Sequence, residues 1–558
     1  DGKAHEEENH AEHSSWRTDT QEGRKCAGSD AIKDLAGKRS SMIYNFNRGI
    51  GWASSGVEYA QAYRGTVLRN VGIPCRFIYT DMFRGDNIAL MTENIGIPDE
   101  EVIWLYQYFT DFAVAGPSVS IAQFEQKMLL GSAKGAEDYQ VQEGPGRREY
   151  CFADGIQKVY AYYVPGDRRI IQKADFYCKG RLTHAEYYSY GRIFTEYFAD
   201  KNGKLTLFLR RFSNEDGSIA YEEHMDGERQ IFRMRNKILY SKQELICEMV
   251  RSLPYKPGDV IILDRSTELG QPVLRCSGNV PKLCVIHAEH YDGPATTETD
   301  ILWNNFYEYP FDQADRFAVF VASTEKQAQL LRAQFRKYRK SVPGIEAIPV
   351  GNLKKLQMPE KQRWPHSLCT ASRLAAEKHI DLLVRAVALA RRNVRDLTLD
   401  IYGKGGLEQE LRELIADEKA ESYIRLMGQQ DMTHVYAEYS GYIAASFSEG
   451  FGLSLMEAVG SGLAMIGFDV PYGNPTFIAN EENGYLLPFS REDQDDARVQ
   501  ALARAIIRLF TEADLEAFHQ KSYAIASEFL EEKVALRWKK LFEKLAAEGE
   551  NRPDSSRG

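Results

Sequence analysis

The pattern of apolar and polar positions changes character twice along this chain. It opens with the apolar run Ile43–Phe46, a glycine loop Gly49–Gly56, and Tyr59, Ala62, Tyr63, Val67 and Leu68 at helical spacing to about Asn70. Cys75–Tyr79 is a second apolar run, so the segment predicts a β-loop-α-β unit. From about 145 to 240 the chain becomes rich in Tyr, Phe, Ile and Thr. The runs Val159–Tyr163, Glu186–Tyr188, Arg192–Phe198 and Leu205–Arg210 read as strands. Asp154-Gly155, Asn202-Gly203, Asp216-Gly217 and Asp226-Gly227 supply the positive φ angles of tight hairpins. An antiparallel meander of roughly six strands or more is expected, inserted into the first α/β domain.

Strand and helix alternate again from Val260–Asp264, through Leu283–His287 and Ala318–Ala322, to a helix over Lys326–Tyr338. Pro343-Gly344 and Pro349–Asn352 mark a crossing into a second domain. There Ser367–Thr370, Leu397–Tyr402, Ile424–Leu426 and Gly441–Ala445 predict a doubly wound parallel sheet. A last helix over about Leu515–Ala547 is expected to return and brace the first domain. Residues 1–41 and 548–558 read as disordered ends or a cloning remnant; His5, His10 and His13 read as solvated.

A chain of 558 residues is too long for one core, and its net charge of −10 excludes a general phosphate-backbone binder of nucleic acid. Eight cysteines without C-x-x-C spacing point to free, mostly buried thiols in a cytoplasmic protein. No apolar stretch long enough to span a membrane stands out.

The most informative run is Phe447–Ala458, where Glu449 precedes Gly450-Phe451-Gly452 and Glu457 follows in an apolar helical stretch. Tyr442–Ser446 reads as a buried strand ahead of it. The order strand, turn, helix puts Glu449 and free backbone N–H groups where polar or anionic ligands bind. Arg373 and Lys378, in the loop after the strand ending at Thr370, suit a diphosphate: one bidentate, one a point charge. His287 stands at another strand end, and Gly56, Val57, Glu58 and Tyr59 open a helix after small residues. His287, Glu289 and His290 match no zinc spacing, so no metal is expected. Asp493-Gln494-Asp495 reads as part of a solvated helix face, and Gly403–Gly406 lacks the G-x-G-x-x-G spacing of a dehydrogenase. Together these loops fit a sugar carried on a nucleoside diphosphate.

Arg373-x4-Lys378 with Glu449-x7-Glu457 resembles the retaining family-four glycosyltransferases of the GT-B fold: two Rossmann-like domains facing a cleft, here with an antiparallel β-meander in the N-terminal one. The text Ile43–Arg64, with Phe77–Met82 and His287–Tyr291, is similar to the GtfA family, catalytic subunits of the O-GlcNAc transferases of the bacterial accessory Sec system. Phe46 and Arg48 depart mildly from it. The resemblance implies domains at 42–115 with 256–350 (acceptor side), 116–255 (β-rich insertion), 351–514 (UDP-sugar side) and 515–547 (bracing helix). It implies transfer of N-acetylglucosamine from UDP-GlcNAc to Ser/Thr hydroxyls of a serine-rich repeat adhesin, with retention and without metal. Gly56–Tyr59 would line the UDP side, His287 would contact the sugar, and Arg373 and Lys378 would hold the diphosphate. Gly428 and Gln429 would lie by the nucleotide, Glu449–Gly452 would hold the sugar hydroxyls, and Glu457 would reach the ribose. A GtfB-like subunit is the implied partner, with peripheral attachment to the inner membrane face. Two alternatives share the fold: a wall-teichoic-acid GlcNAc transferase, for whose acceptor Arg168, Arg169, Arg210 and Arg211 offer charge, and a non-catalytic sugar- or acceptor-binding subunit.

Overall fold

The β-branched and aromatic runs of the sequence do become strands, in a computed structural model that describes residues 41–51, 55–129, 139–152 and 155–550. The extension over 1–40 with its three histidines, Trp52–Ser54 of the glycine loop, Asp154, and the tail 551–558 lie outside the described residues. The chain divides into two compact units, one of residues 1–53, 76–256 and 271–279, the other of 54–75, 257–270 and 280–558.

In the first unit, Phe77–Tyr79 pairs in parallel with Val102–Trp104. Its larger part is an eleven-stranded antiparallel sheet, running from Tyr139–Gly144 to Ile238–Leu239, with Val119–Ser120 paired to Asp167–Cys178. The expectation of roughly six strands or more holds, and the four runs named from the sequence fall in Gln157–Val164, Arg181–Tyr188, Arg192–Lys201 and Lys204–Ser213. Tyr139–Gly144 is mostly exposed and carries more polar than apolar residues, and every second residue of Arg229–Met234 is exposed, because an antiparallel sheet needs only one apolar face. The buried face carries an aromatic row: Tyr187 stacks on Phe194 at 4.2 Å and Phe212 on Tyr221 at 4.3 Å. Across this row Arg210 lies fully buried between Glu196 and Glu223, each at 2.7 Å. Arg210 therefore adds nothing to a basic acceptor surface; Arg211 pairs with Glu222 and Arg169 with Asp167. The expectation of free thiols is also corrected. Cys247 and Cys276 form a disulfide with Cα atoms 5.4 Å apart, a pairing that a separation of 29 residues does not signal. Cys151, Cys178, Cys284 and Cys369 are free.

The second unit holds the parallel strands Val260–Leu263, Lys282–Ile286, Val319–Ala322 and Ile345–Ala347. It also holds a six-stranded parallel sheet whose order is Ile424–Gly428, Thr398–Tyr402, Ser367–Ala371, Gly441–Ile443, Ala464–Phe468, Gly484–Leu487. The helices Ile380–Ala390 and Asp495–Thr511 pack together against it, burying Leu382, Leu383, Leu502, Ile506 and Leu509. Strand order reverses between Ser367–Ala371 and Gly441–Ile443. Such a switch point opens a crevice at the carboxyl ends of the strands.

The predicted last helix is two helices, Leu515–Ala526 and Glu531–Glu550, the second running past the expected end at Ala547. They part because Leu353 inserts its backbone at the break: its N–H donates to the Phe529 carbonyl and its carbonyl accepts from Glu531, both at 2.9 Å. Glu531–Glu550 packs on the helix Gly56–Asn70, with the Arg64 guanidinium 5.5 Å from the centre of the buried Trp538 ring.

Candidate active site

The loops that leave the two central strands at the switch point carry the central pair. Ser372–Lys378 follows one strand and Ala444–Gly452 the other, and Lys378 Nζ donates to Glu449 Oε2 at 2.6 Å. Both side chains keep about a fifth of their surface exposed, 19% and 21%. Local packing fixes each partner. Lys378 ends a short 3-10 turn capped by His379 in the left-handed region (φ 46°), whose ring stacks on Phe447 at 3.5 Å. Arg498 covers the Phe447 ring at 4.5 Å, so the strap before Glu449 is clamped on two sides. The Glu449 N–H donates to the Pro471 carbonyl, and its own carbonyl accepts from Tyr472 and Gly473.

The strand expected over Tyr442–Ser446 ends at Ile443, and the helix begins at Leu453. Glu449 thus stands in the loop ahead of that helix, and Glu457 lies about one turn inside it. Gly450 is required by close approach: a Cβ there would lie 2.4 Å from the His287 carbonyl oxygen. Gly452 has φ 83°, a conformation that favours glycine. Phe451 points into the core against Phe477 and Phe529, so what it offers a ligand is backbone.

Arg373 is not drawn into the pair. Its guanidinium is 70% exposed and bonds Glu377 at 2.9 Å. Beneath this loop the glycine run has a packing role: a Cβ on Gly403 would meet the Ser372 carbonyl at 1.9 Å, and one on Gly405 the Leu374 carbonyl at 2.3 Å. Gly428 ends its strand with φ 69°, and Gln429 beside it is exposed.

Glu457 meets the other helix of the candidate site. Tyr63 Oη donates to its Oε1 at 3.2 Å. Burial pushes the Glu457 carboxyl up to about 7; the hydroxyls of Tyr63 and nearby Tyr436 oppose this and Asp431 adds to it. At the start of that helix Gly56 is exposed and Val57 half-buried. Tyr59 is 39% exposed, and its hydroxyl pKa is raised by burial and by Glu457. The Glu58 carboxylate is instead occupied: it accepts from the Ser55 N–H at 2.7 Å in a capping box, and Arg265 approaches it at 3.3 Å.

His287 faces Gly450 with its carbonyl, while its ring Nε2 is 2.9 Å from Asp264 Oδ1. Tyr307 Oη accepts from the backbone N–H of His287 at 2.9 Å and of Ala288 at 3.0 Å. Glu289 accepts from Ser448 at 3.0 Å, tying the His287 loop to the Glu449 loop. His290 is structural, buried between Tyr472 and Gln334, and burial lowers its pKa to about 4. Among the described residues no cluster has the makings of a metal site. Of the Asp493-Gln494-Asp495 triplet only Asp495 lies in the helix, where it pairs with Arg498 at 2.6 Å, while Gln494 stands at the N-cap position without a side-chain capping bond.

Set against known proteins, residues 140–236 match the GtfA extended beta-sheet domain and residues 365–512 the glycosyl transferases group 1 family. The UDP-N-acetylglucosamine--peptide N-acetylglucosaminyltransferase GtfA subunit of Streptococcus agalactiae is 48% identical over 499 residues, 89% of this chain and 97% of its own. The chain belongs to the GtfA subunit family. The crystal structure of the pneumococcal O-GlcNAc transferase GtfA in complex with UDP and GlcNAc superposes with a TM-score of 0.85 at 44% identity, covering 91% of this chain and 99% of that one. A GtfA/B complex structure gives 0.86 at 44%, covering 91% and 100%. The fold is GT-B, with parallel sheets in two Rossmann-like domains and an antiparallel sheet region.

Several residues that hold these loops in place were not singled out as site residues from the sequence: Tyr63, Asp264, Arg265, Glu289, Ser448 and Tyr436. Asp264 had a signal, since it ends a predicted strand as His287 does, and Ser448 and Glu289 lie within the runs Phe447–Ala458 and His287–Tyr291.

Proposed function

We propose that the chain moves N-acetylglucosamine from UDP-GlcNAc to Ser or Thr hydroxyls of a protein acceptor, retaining the anomeric configuration. The Lys378–Glu449 contact at the switch point carries this reading. Lys378 stands as a point charge against the donor diphosphate, and Glu449 with the Gly450–Gly452 backbone holds the sugar hydroxyls. Glu457 takes the ribose. Gly56–Tyr59 and Gly428-Gln429 flank the nucleotide. Arg373 leaves Glu377 for the diphosphate; an exposed pair of this kind holds it by about 1 kcal/mol or less, while a bidentate diphosphate contact is stronger. As the bond from C1 to the diphosphate oxygen breaks, the acceptor oxygen forms its bond to C1 on the same face. Its proton passes to the leaving diphosphate. The two cations supply the charge stabilisation, so the reaction asks for no metal.

The acceptor in this reading is a serine-rich repeat protein glycosylated before export. The work is done in the cytoplasm beside a GtfB-like subunit, on or near the inner membrane face. Support comes from the similarity to a GtfA/B complex structure and from the described residues, among which no helix is long and apolar enough to cross a membrane. The test offers UDP-GlcNAc with a serine-rich peptide and, separately, a polyol-phosphate polymer, each with and without the partner, following UDP release and product mass. Glycosylated peptide supports the reading. Glycosylated polymer alone would replace it with the teichoic-acid activity, and no turnover in any arm would leave a sugar-binding subunit.

A further inference from the structure

We propose that Asp264 is a positioning residue that keeps the proton of His287 on Nε2, so that Nδ1 is the atom offered to the donor sugar and accepts a hydrogen bond from one of its hydroxyls. The inference rests on the proposed sugar transfer and on the family resemblance by which His287 contacts the donor sugar.

Asp264 follows the strand Val260–Leu263 and is buried, with 4% of its surface exposed. Its Oδ2 accepts from Gln61 Nε2 at 2.8 Å and from the Arg64 guanidinium, both on the helix Gly56–Asn70. Its Oδ1 is left for His287 Nε2, at 2.9 Å. Burial alone would push this carboxyl up, but Arg64 and His287 outweigh it and hold it below the ordinary range. An ionised carboxylate only accepts, so the hydrogen shared with His287 belongs to the ring. A neutral imidazole with its proton on Nε2 has its lone pair on Nδ1. Nδ1 has no partner among the described residues, while Tyr307 holds the adjacent backbone. Ring and main chain are both fixed, and one nitrogen is left for a ligand.

The test uses the full chain with 15N-labelled histidine, His287 being assigned by the signals lost in His287→Gln. Nitrogen shifts and couplings then report the tautomer independently of turnover. A proton on Nε2 in the neutral ring supports the proposal, and a proton on Nδ1 overturns it. Asp264→Asn lets an amide N–H face the ring; the expected result is a switched tautomer and a fall of about ten- to hundredfold in kcat for UDP-GlcNAc hydrolysis, with KM little changed. Gln61→Met removes a bond to Oδ2 and spares Oδ1, so it should leave the tautomer alone and keep most of kcat. An equal loss in Gln61→Met would make the network merely structural. Full turnover in His287→Gln beside a wild-type Nε2 tautomer would instead overturn the donor-side reading of the ring.

Discussion

Lys378 and Glu449 meet at 2.6 Å from loops that follow two adjacent parallel strands, 71 residues apart in sequence. Because both remain partly exposed, the pair itself contributes about 1 kcal/mol or less to stability. Lys378→Ala and Glu449→Gln should therefore each lower glycosyl transfer at least hundredfold while leaving circular dichroism and the melting temperature nearly unchanged. Wild-type turnover in either variant would remove the roles assigned to them.

Glu457 should make stability depend on pH. Its folded pKa is raised from 4.5 to about 7, so the folded state keeps the proton more firmly than the unfolded chain. The stabilisation is complete below pH 4.5 and is lost as pH rises through about 7. Glu457→Gln removes this dependence. Melting curves should show the variant gaining on wild type by an amount on the order of 2 kcal/mol between pH 4.5 and 8. A gap that stays constant with pH would contradict the assignment.

Two glycines should part company. Gly450→Ala puts a methyl 2.4 Å from the His287 carbonyl oxygen and 3.1 Å from Ala288 Cα, which must push the Glu449 loop aside. We expect transfer to fall at least hundredfold. Among the described residues a Cβ on Gly56 meets no heavy atom within 4 Å, and alanine there should raise stability by about 0.5–1 kcal/mol. Denaturation curves and UDP titrations on both variants check this; weaker UDP binding by the more stable Gly56→Ala would place the ligand against that backbone.

Arg210→Met should be costly in a different place. It leaves Glu196 and Glu223 buried without the cation they share, a loss of about 3–5 kcal/mol. Hydrogen exchange should rise first in the strands Arg192–Lys201, Lys204–Ser213 and Ile219–Asp226. Replacing all three residues together with apolar ones should recover most of the loss.

The sequence reading succeeded where spacing and chemistry coincide. Apolar runs located both parallel sheets, and the Lys378 and Glu449 patterns marked two loops that the fold brings into contact, because residues at strand ends share the carboxyl edge of a sheet. It failed where the determinant was a partner distant in the chain. Nothing near Tyr63 announces Glu457, nor does anything near Arg210 announce that it is buried between two glutamates. The helix expected over Leu515–Ala547 has a continuous helical pattern, and the break at Leu530 comes from Leu353, far upstream. Exposed strands of the antiparallel sheet such as Tyr139–Gly144 went unnamed for want of an apolar signal.

Trp538 lies on the C-terminal helix, 251 positions beyond His287 in the chain, yet it covers Arg64, which braces Asp264, which holds His287. The far end of the polypeptide is thereby wired to a ring at the candidate site. Shortening the chain before this helix, or fusing a bulky domain that pulls it away, would cost activity without touching any residue that meets the sugar.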